Sequence, residues 1–441
     1  MNKTKRVRMT VTVSLLLYSF ALIAEPESPR ILTIDEMFRL AEENSRSLKV
    51  EKRGIDVAEN AIAVARAQRL PDINLQASAN YLGNGFITDR DFSNFTKAPI
   101  PHFGNNFALD ASWVVYSGGA IRNNIALAKV QKEQASTATS LNREQIRFLL
   151  LGQYLDLYKL DNQMKVYRQN IALTSRLIDN VKAKHEQGTA LKNDITRYEL
   201  QMENLKLELR KLQDQSSILN HQLCNSLGLP ESTVIAPDTT ILHLSMMDEE
   251  ENAWQEKAAN SSPLLKQSSL DIDRMRLQEK MERAEKLPKL SIVAANHFDG
   301  PITIEVPPIN KNFNYWFVGM GISYNLASLY KNDKKVRQAQ SAVEQSIASR
   351  EAVAEQLNNA VQADYVNYQQ SFVELQTRQK SVELAQQNYQ VVEDRYLNQL
   401  AIITDMIDAS NMKLSAELQE VNARIGIIYA YHKMKYTAGT L

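Results

Sequence analysis

The stretch Ala67-Gln-Arg-Leu-Pro-Asp-Ile-Asn-Leu75 recurs in altered form as Ala284-Glu-Lys-Leu-Pro-Lys-Leu-Ser-Ile292, 217 residues further along the chain. Two constant offsets relate other matching residues: 217 for Ala41 and Ala258, and 211 for Tyr154 and Tyr365 and for Gly228 and Gly439. A register kept over this length indicates an internal tandem duplication. Because a repeat sets the architecture of the whole chain, we expect two copies of one structural unit.

The composition favours long helices over a loop-rich fold. The chain has 441 residues with only 14 glycines and 12 prolines, and none of the prolines lies between Pro101 and Pro230. The 51 basic and 51 acidic residues give a formal net charge of zero. No nucleic-acid partner is expected, because such partners attract chains with a basic excess.

Residues 1–24 are predicted to be a secretory signal peptide. Basic residues such as Lys3 and Arg8 precede an apolar run from Val11 to Ala24, where a small residue offers a cleavage point. The alternative is a membrane anchor, which needs about 20 apolar residues. This run is shorter and contains Thr12. Since no later segment is apolar enough to span as a helix, any membrane insertion is expected to use β-strands.

Each half contains one very long predicted helix with a coiled-coil seam. Apolar residues recur every seven positions in both halves: Leu150, Leu157, Met164, Ile171 and Ile178, and then Val361, Tyr368, Leu375, Val382 and Tyr389. A helix of about 65 residues, rising 1.5 Å per residue, is roughly 100 Å long. A rod of that length is unusual in a globular domain.

Between the helices the sequence alternates apolar and polar residues. In 71–81 one face is apolar from Ile73 to Tyr81 and the other is polar, and the same pattern holds in 106–116. Alternating segments of about ten residues, with aromatic residues near their ends, are typical of transmembrane barrel strands. An amphipathic hairpin packed on a soluble core is the alternative. The predicted membrane-facing aromatic residues are Tyr81, Trp113, Phe298, Trp316 and Tyr324.

These patterns divide the chain into two repeats and a linker. Repeat 1 (25–228) is predicted to contain a helix over 33–69, a β-hairpin over 71–117, a long helix over 120–186 and a helix over 194–227. Repeat 2 (248–441) is predicted to contain a helix over 248–286, a β-hairpin over 288–327, a long helix over 331–397 and a helix over 404–437. The linker 229–247, with 25–32, is expected to form any belt around the middle of the rod.

The predicted fold class is an α+β membrane protein that works as an assembly. Four strands cannot close a barrel, and open sheet edges are not tolerated in lipid. Three copies supply a trimeric 12-stranded β-barrel, while the long antiparallel coiled-coil helices form an α-barrel enclosing a tube. The competing prediction is a periplasmic coiled-coil tether or scaffold with a small β cap outside any membrane.

The chain resembles outer-membrane efflux proteins of the TolC family. The likeness lies in 67–75 and its copy, in Trp113-Val-Val-Tyr-Ser-Gly-Gly119 and in Ile403-Thr-Asp-Met-Ile-Asp-Ala409, and it extends from about Ile31 to Gly439. It implies a homotrimeric channel-tunnel in the outer membrane of a Gram-negative bacterium, extending into the periplasm. It further implies a tripartite efflux or type I secretion system, with a periplasmic adaptor (membrane fusion) protein and an inner-membrane transporter of the RND, ABC or MFS type.

The resemblance also implies a periplasmic gate at the second helical tip. Asp405 and Asp408 match the acidic ring of the family, and three copies would bring six carboxylates to one constriction. The alternative for Asp405 is a capping role at the start of the returning helix. Tyr396 and Asp194 lie at matching places on the two tips and are predicted to form a latch, although Tyr396 also fits the apolar seam. Asp408 corresponds to Arg197 under the 211 offset, which reduces a sixfold tube to threefold symmetry.

No motif for catalysis or cofactor binding is present in the sequence. The six histidines, at 102, 185, 221, 243, 297 and 432, have no spacing that suits a metal site. Neither a phosphate-binding glycine loop nor a nucleophile motif occurs. We therefore expect a protein that is not an enzyme and that binds no cofactor.

Overall fold

The computed structural model describes residues 29–238, 249–305, 307–398 and 400–441. The predicted signal peptide (1–24) and residues 239–247 of the predicted linker lie outside them. The helices are α1 (Ile34–Asn44), α2 (Arg46–Ala67), α3 (Ala120–Glu186), α4 (Lys192–Leu227), α5 (Glu251–Ser261), α6 (Pro263–Ala284), α7 (Ser328–Leu397) and α8 (Ile403–Thr437). The strands are β1 (Arg30–Leu32), β2 (Asp72–Tyr81), β3 (Gly85–Ile87), β4 (Thr96–Ala98), β5 (Phe103–Tyr116), β6 (Ile235–Pro237), β7 (Lys289–Gly300) and β8 (Phe313–Ser323).

The helices and the long strands follow the same order in both halves of the chain, whereas the short strands β3 and β4 belong to the first half. Adding 217 to the bounds of α2 gives the bounds of α6, and adding 211 to the first residue of α4 gives the first residue of α8. The sequence offsets therefore carry over to the positions of these helices.

The predictions of one unbroken helix over 33–69 and another over 248–286 are wrong, because each segment forms two helices. Ser45 separates α1 from α2, and its hydroxyl oxygen accepts a hydrogen bond from the Leu48 backbone N–H at 3.4 Å. Pro263 is the first residue of α6, where a missing N–H has no cost to the helix. The apolar periodicity continues through both breaks, which is why periodicity alone did not reveal them.

The two long helices, α3 and α7, have 67 and 70 residues. Their seam positions are largely buried, including Leu150, Leu157 and Ile178 in α3 and Val361 and Tyr368 in α7. The shorter helices pack on the long helix of their own half: α1, α2 and α4 on α3, and α5, α6 and α8 on α7. Helix α3 also packs against α6 and α8 of the other half, and this contact joins the two halves.

The four long strands form one antiparallel sheet in the order β2-β5-β7-β8. Its register pairs Ile73 with Ala111, Phe107 with Phe298, and Asn296 with Trp316. Side chains alternate between the faces of a sheet, so one face is largely apolar and the other largely polar. Strands β2 and β8 are the outer strands of this sheet, and each leaves one edge without a partner strand in the sheet.

A small belt lies near the middle of the rod. Strand β1 pairs in parallel with β6, which brings the start of the described chain against the segment after α4. The Tyr154 hydroxyl of α3 donates to the Leu32 carbonyl oxygen at 2.5 Å and accepts from the Asp238 N–H at 2.7 Å. Burial raises the pKa of Tyr154 to about 12, so this hydroxyl keeps its proton. Both strand segments are thereby fixed to α3.

None of the helices in the described ranges combines the length and the apolar character needed to cross a membrane.

Candidate functional site at the helical tip

The candidate site lies where the turn between α3 and α4 meets the turn between α7 and α8. Gly188, with φ of 76°, terminates helix α3 in a left-handed conformation that favours glycine. The Lys184 ammonium lies 3.5 Å from the Tyr396 carbonyl oxygen and 3.4 Å from that of Leu397. A cation at these carbonyls also complements the negative end of the α7 dipole. Lys184 therefore ties the two turns together.

The two tip aspartates, Asp194 and Asp405, have equivalent capping contacts. An Asp194 carboxylate oxygen accepts from the Leu191 N–H at 3.1 Å, and an Asp405 carboxylate oxygen accepts from the Ile402 N–H at 3.3 Å. The capping alternative for Asp405 is thus present in the structure. Its side chain stays exposed, as does that of Asp408, which lies three residues later on the same helix face. Capping and a role in a gate are compatible, because capping occupies one carboxylate oxygen.

Three tyrosines form the apolar interior behind these aspartates. Tyr198 is fully buried, Tyr389 is nearly so, and Tyr396 is half-buried. Burial raises the pKa of all three hydroxyls, and the charge of Asp194 adds to the effect on Tyr396. Ala190 and Ile195, on either side of Asp194 in the sequence, pack in the same apolar cluster as Tyr396. The hydrogen bonds of the described residues include none between the Asp194 and Tyr396 side chains. The predicted latch is not formed within a single chain and stays a prediction for the assembled mouth.

A contact that the sequence did not predict joins α4 to α8. An Arg197 guanidinium nitrogen donates to the Thr404 hydroxyl oxygen at 2.7 Å, directly beside Asp405. The 211 offset identifies Arg197 only as the counterpart of Asp408. The offset shows that the predicted repeats differ in charge at Arg197 and Asp408. It does not show that Arg197 bonds to Thr404, because that contact depends on how α4 and α8 pack.

Exposed apolar stripes run along three helices. Their large apolar residues recur at intervals of seven or eleven, which corresponds to one helix face. They are Val50, Val57 and Val64 on α2, Leu200, Leu207 and Ile218 on α4, and Val366, Val373, Leu384 and Val391 on α7. Apolar stripes with this spacing are typical of helices that pack against another helix.

Four of the five predicted membrane-facing aromatic residues lie on one face of the sheet, and the fifth, Tyr324, directly follows β8. All five are exposed. Trp113 and Tyr324 lie near the end of the sheet that is joined to the helices. The Trp113 indole N–H donates to the Arg69 carbonyl oxygen at 2.8 Å. Tyr81, Phe298 and Trp316 lie towards the opposite end of the sheet. Aromatic residues at both ends of an apolar sheet face suit the two interfaces of a membrane.

Within the ranges that the structure describes, no group of three or more histidine, cysteine, aspartate or glutamate side chains is arranged to hold a metal ion. Cys224 is buried in the mid-rod core.

The chain thus combines long antiparallel helices with a four-stranded sheet that has one apolar face. The chain belongs to the outer membrane efflux protein family, whose model matches residues 37–229 and 254–431. It is 22% identical over 455 residues to the proteases secretion protein PrtF of Dickeya chrysanthemi, covering 100% of this chain and 93% of PrtF. It is 20% identical to the outer membrane protein TolC of Vibrio cholerae serotype O1, covering 92% of this chain and 90% of TolC.

Solved structures share this fold. The outer-membrane channel OprN has a TM-score of 0.75 at 16% identity, with 92% of this chain and 90% of OprN covered. The resemblance to the TolC family is thus confirmed, and the protein is an outer-membrane channel-tunnel of efflux or secretion that extends into the periplasm. Members of the family are channels, and they work as homotrimers with adaptors and inner-membrane transporters.

Proposed function

We propose that three copies of this chain assemble around one axis into a continuous conduit. The sheets form a 12-stranded β-barrel in the outer membrane, and the helices form a tube across the periplasm. The free edges of β2 and β8 carry this proposal. Unpaired backbone groups are costly in lipid, and pairing β8 of one copy with β2 of the next satisfies them around a closed ring.

The helix packing supports the same assembly. Helix α3 packs against α6 and α8 of the other repeat, whereas the main contacts of α7 are with α5, α6 and α8 of its own repeat. If α7 repeats the role of α3, its missing partners are α2 and α4 of the next copy. These are the three helices that carry exposed apolar stripes. Burial of apolar side chains is the main favourable term in such associations.

The proposal places the periplasmic gate at Asp405 and Asp408. Both side chains are exposed on one face at the start of α8, where three copies converge in a tube of this kind. Six carboxylates in one constriction repel each other and attract cations. The proposed latch between Tyr396 and Asp194 belongs to the same mouth, and the packing of Ile195 in the same apolar cluster as Tyr396 supports it.

A periplasmic adaptor protein and an inner-membrane transporter of the RND, ABC or MFS type complete the proposed system. No cofactor and no catalytic step are part of it. PrtF is named for the secretion of proteases, which supports including polypeptides among the cargo to be tested.

The proposal is tested by deleting the gene and following export. Loss of the chain should remove proteins from the culture medium or raise the accumulation of toxic compounds, and the wild-type gene should restore export. In the same cells the protein should be extracted from the outer-membrane fraction only by detergent. A soluble periplasmic protein, with unchanged export in the deletion strain, would contradict the proposal and favour the tether.

A further inference from the structure

Two side-chain pairs connect α4 to α8 within one chain at the tip. Arg197 donates to Thr404 at 2.7 Å, and the Gln201 amide donates to the Asn411 amide oxygen at 3.4 Å. Both pairs join repeat 1 to repeat 2. In a ring of alternating repeats, an equivalent junction must also join repeat 2 of one copy to repeat 1 of the next.

The residues at that second junction follow from the 211 offset. Gln201 corresponds to Met412, and Asn411 corresponds to Leu200. The junction between copies therefore has an apolar pair at the position where the junction within one chain has a polar pair. Leu200 is 64% exposed and Met412 is 61% exposed in the single chain. Two large apolar side chains at matching positions, both open to solvent, are explained if they cover each other in the assembly.

A third pair, further from the helical tip, predicts opposite charges on the two sides of the junction between copies. Within the chain, the Gln163 amide of α3 donates to the Asn422 amide oxygen of α8 at 3.1 Å. The offset converts this pair into Glu374 and Lys211, whose charges are opposite. The Lys211 and Glu374 side chains are 55% and 51% exposed, and each is ion-paired within its own helix, with Glu208 and Arg378. Because exposed ion pairs of this kind contribute little to stability, both side chains can exchange them for a contact with a neighbouring copy.

We infer that the junction between copies is built by Leu200 against Met412 and by Lys211 against Glu374, with α4 of one copy against α7 and α8 of the next. This inference rests on the proposed trimer and adds the residues that contact across it. Under the same 211 offset, Arg197 corresponds to Asp408, and Thr404 corresponds to Asn193. The Asn193 amide can donate a hydrogen bond to the Asp408 carboxylate, as Arg197 donates to Thr404.

The two junctions therefore differ in chemistry. The junction within a chain is polar, whereas the junction between copies contains an apolar pair and a carboxylate that belongs to the proposed gate. Opening between copies would release Asp408 from Asn193 and expose Leu200 and Met412 to water. Closure of the mouth and burial of this apolar pair are thus linked.

The test is thiol cross-linking of the full-length protein in detergent, in a Cys224→Ala background that removes the native thiol. The double variant Leu200→Cys/Met412→Cys, treated with a short bis-maleimide, should run mostly as covalent dimers and trimers on a denaturing gel. Neither single variant should form them. The matched control Gln201→Cys/Asn411→Cys should be cross-linked within one chain and run at the mass of one chain.

If the first double variant does not reach the outer membrane, the double variant Lys211→Cys/Glu374→Cys repeats the test. It should also form covalent dimers and trimers. If both pairs stay at the mass of one chain while the particle elutes as a trimer, the residue assignment is overturned and the proposed trimer stands. If the particle elutes as a monomer, the assignment and the proposed function both fail.

Discussion

An Arg197 guanidinium nitrogen lies 2.7 Å from the Thr404 hydroxyl oxygen and joins α4 to α8 beside Asp405. Because α4 lies in the first half of the chain and α8 in the second, this bond joins the two halves of one chain at the helical tip. Any outward movement of α7 and α8 relative to α3 and α4 must break it.

Replacing Thr404 with valine keeps the shape of the side chain and removes the acceptor. A hydrogen bond from a charged donor contributes about 1.5 kcal/mol or more, a factor of roughly ten in the ratio of open to closed mouths. We expect Thr404→Val to raise the mean conductance in planar bilayers. Thr196→Val is the control, because the Thr196 hydroxyl bonds only the Lys192 carbonyl oxygen of its own helix. Equal conductance in the two variants would exclude a restraining role for the bond.

Asp405 and Asp408 should respond differently to substitution. Asp405→Ala removes both a charge and the cap on the Ile402 N–H, so it should lower stability by about 1 kcal/mol as well as cation selectivity. Asp408→Asn removes only a charge and should lower cation selectivity without a change in melting temperature. Reversal potentials in a salt gradient and thermal unfolding measure the two effects. Unchanged selectivity in both variants would place the gate elsewhere.

Gly118 fixes the junction between the sheet and α3. Its φ is 62°, and an added Cβ would lie 2.8 Å from both the Ala284 carbonyl oxygen and the Leu287 Cβ. We expect Gly118→Ala to destabilise the protein by about 2 kcal/mol or more, through backbone strain and overpacking. Gly152→Ala is the control, since its Cβ meets nothing within 4 Å inside α3, and there alanine should stabilise by up to about 1 kcal/mol. Similar melting temperatures for the two variants would contradict the assigned packing.

His432 should make stability depend on pH. Burial, assisted by the charge of Lys435, lowers the pKa of His432 from 6.5 to about 4, against the opposing effect of Asp35. The unfolded chain takes up a proton below about 6.5, whereas the folded chain does so only near 4. Between these values the unfolded state binds more protons, so the free energy of unfolding falls as the pH falls.

The expected loss between pH 6.5 and 4 is up to roughly 3 kcal/mol for each chain, from a shift of about 2.5 pKa units. Denaturant unfolding at a series of pH values should show a weaker pH dependence in His432→Gln than in the wild type. The exposed His221 provides the control variant, His221→Gln. A wild-type slope retained in His432→Gln would remove this residue as the cause.

The sequence predicted what depends on local pattern and on the repeat. The seam of α3, the alternation in β2 and the position of α6 relative to α2 all follow from spacing alone. The break at Ser45 was missed because one capping hydroxyl can end a helix without disturbing the apolar period. Residue spacing within one helix does not determine contacts between helices, so the Arg197 bond to Thr404 and the burial of Tyr198 required the three-dimensional packing.

The central claim is that three copies close one conduit, and the most direct test is the mass of the detergent-extracted particle by light scattering, corrected for bound detergent. We predict three times the mass of one processed chain, unchanged on dilution. A particle with the mass of one or two chains would contradict the assembly from which the barrel, the gate and the junction between copies all follow.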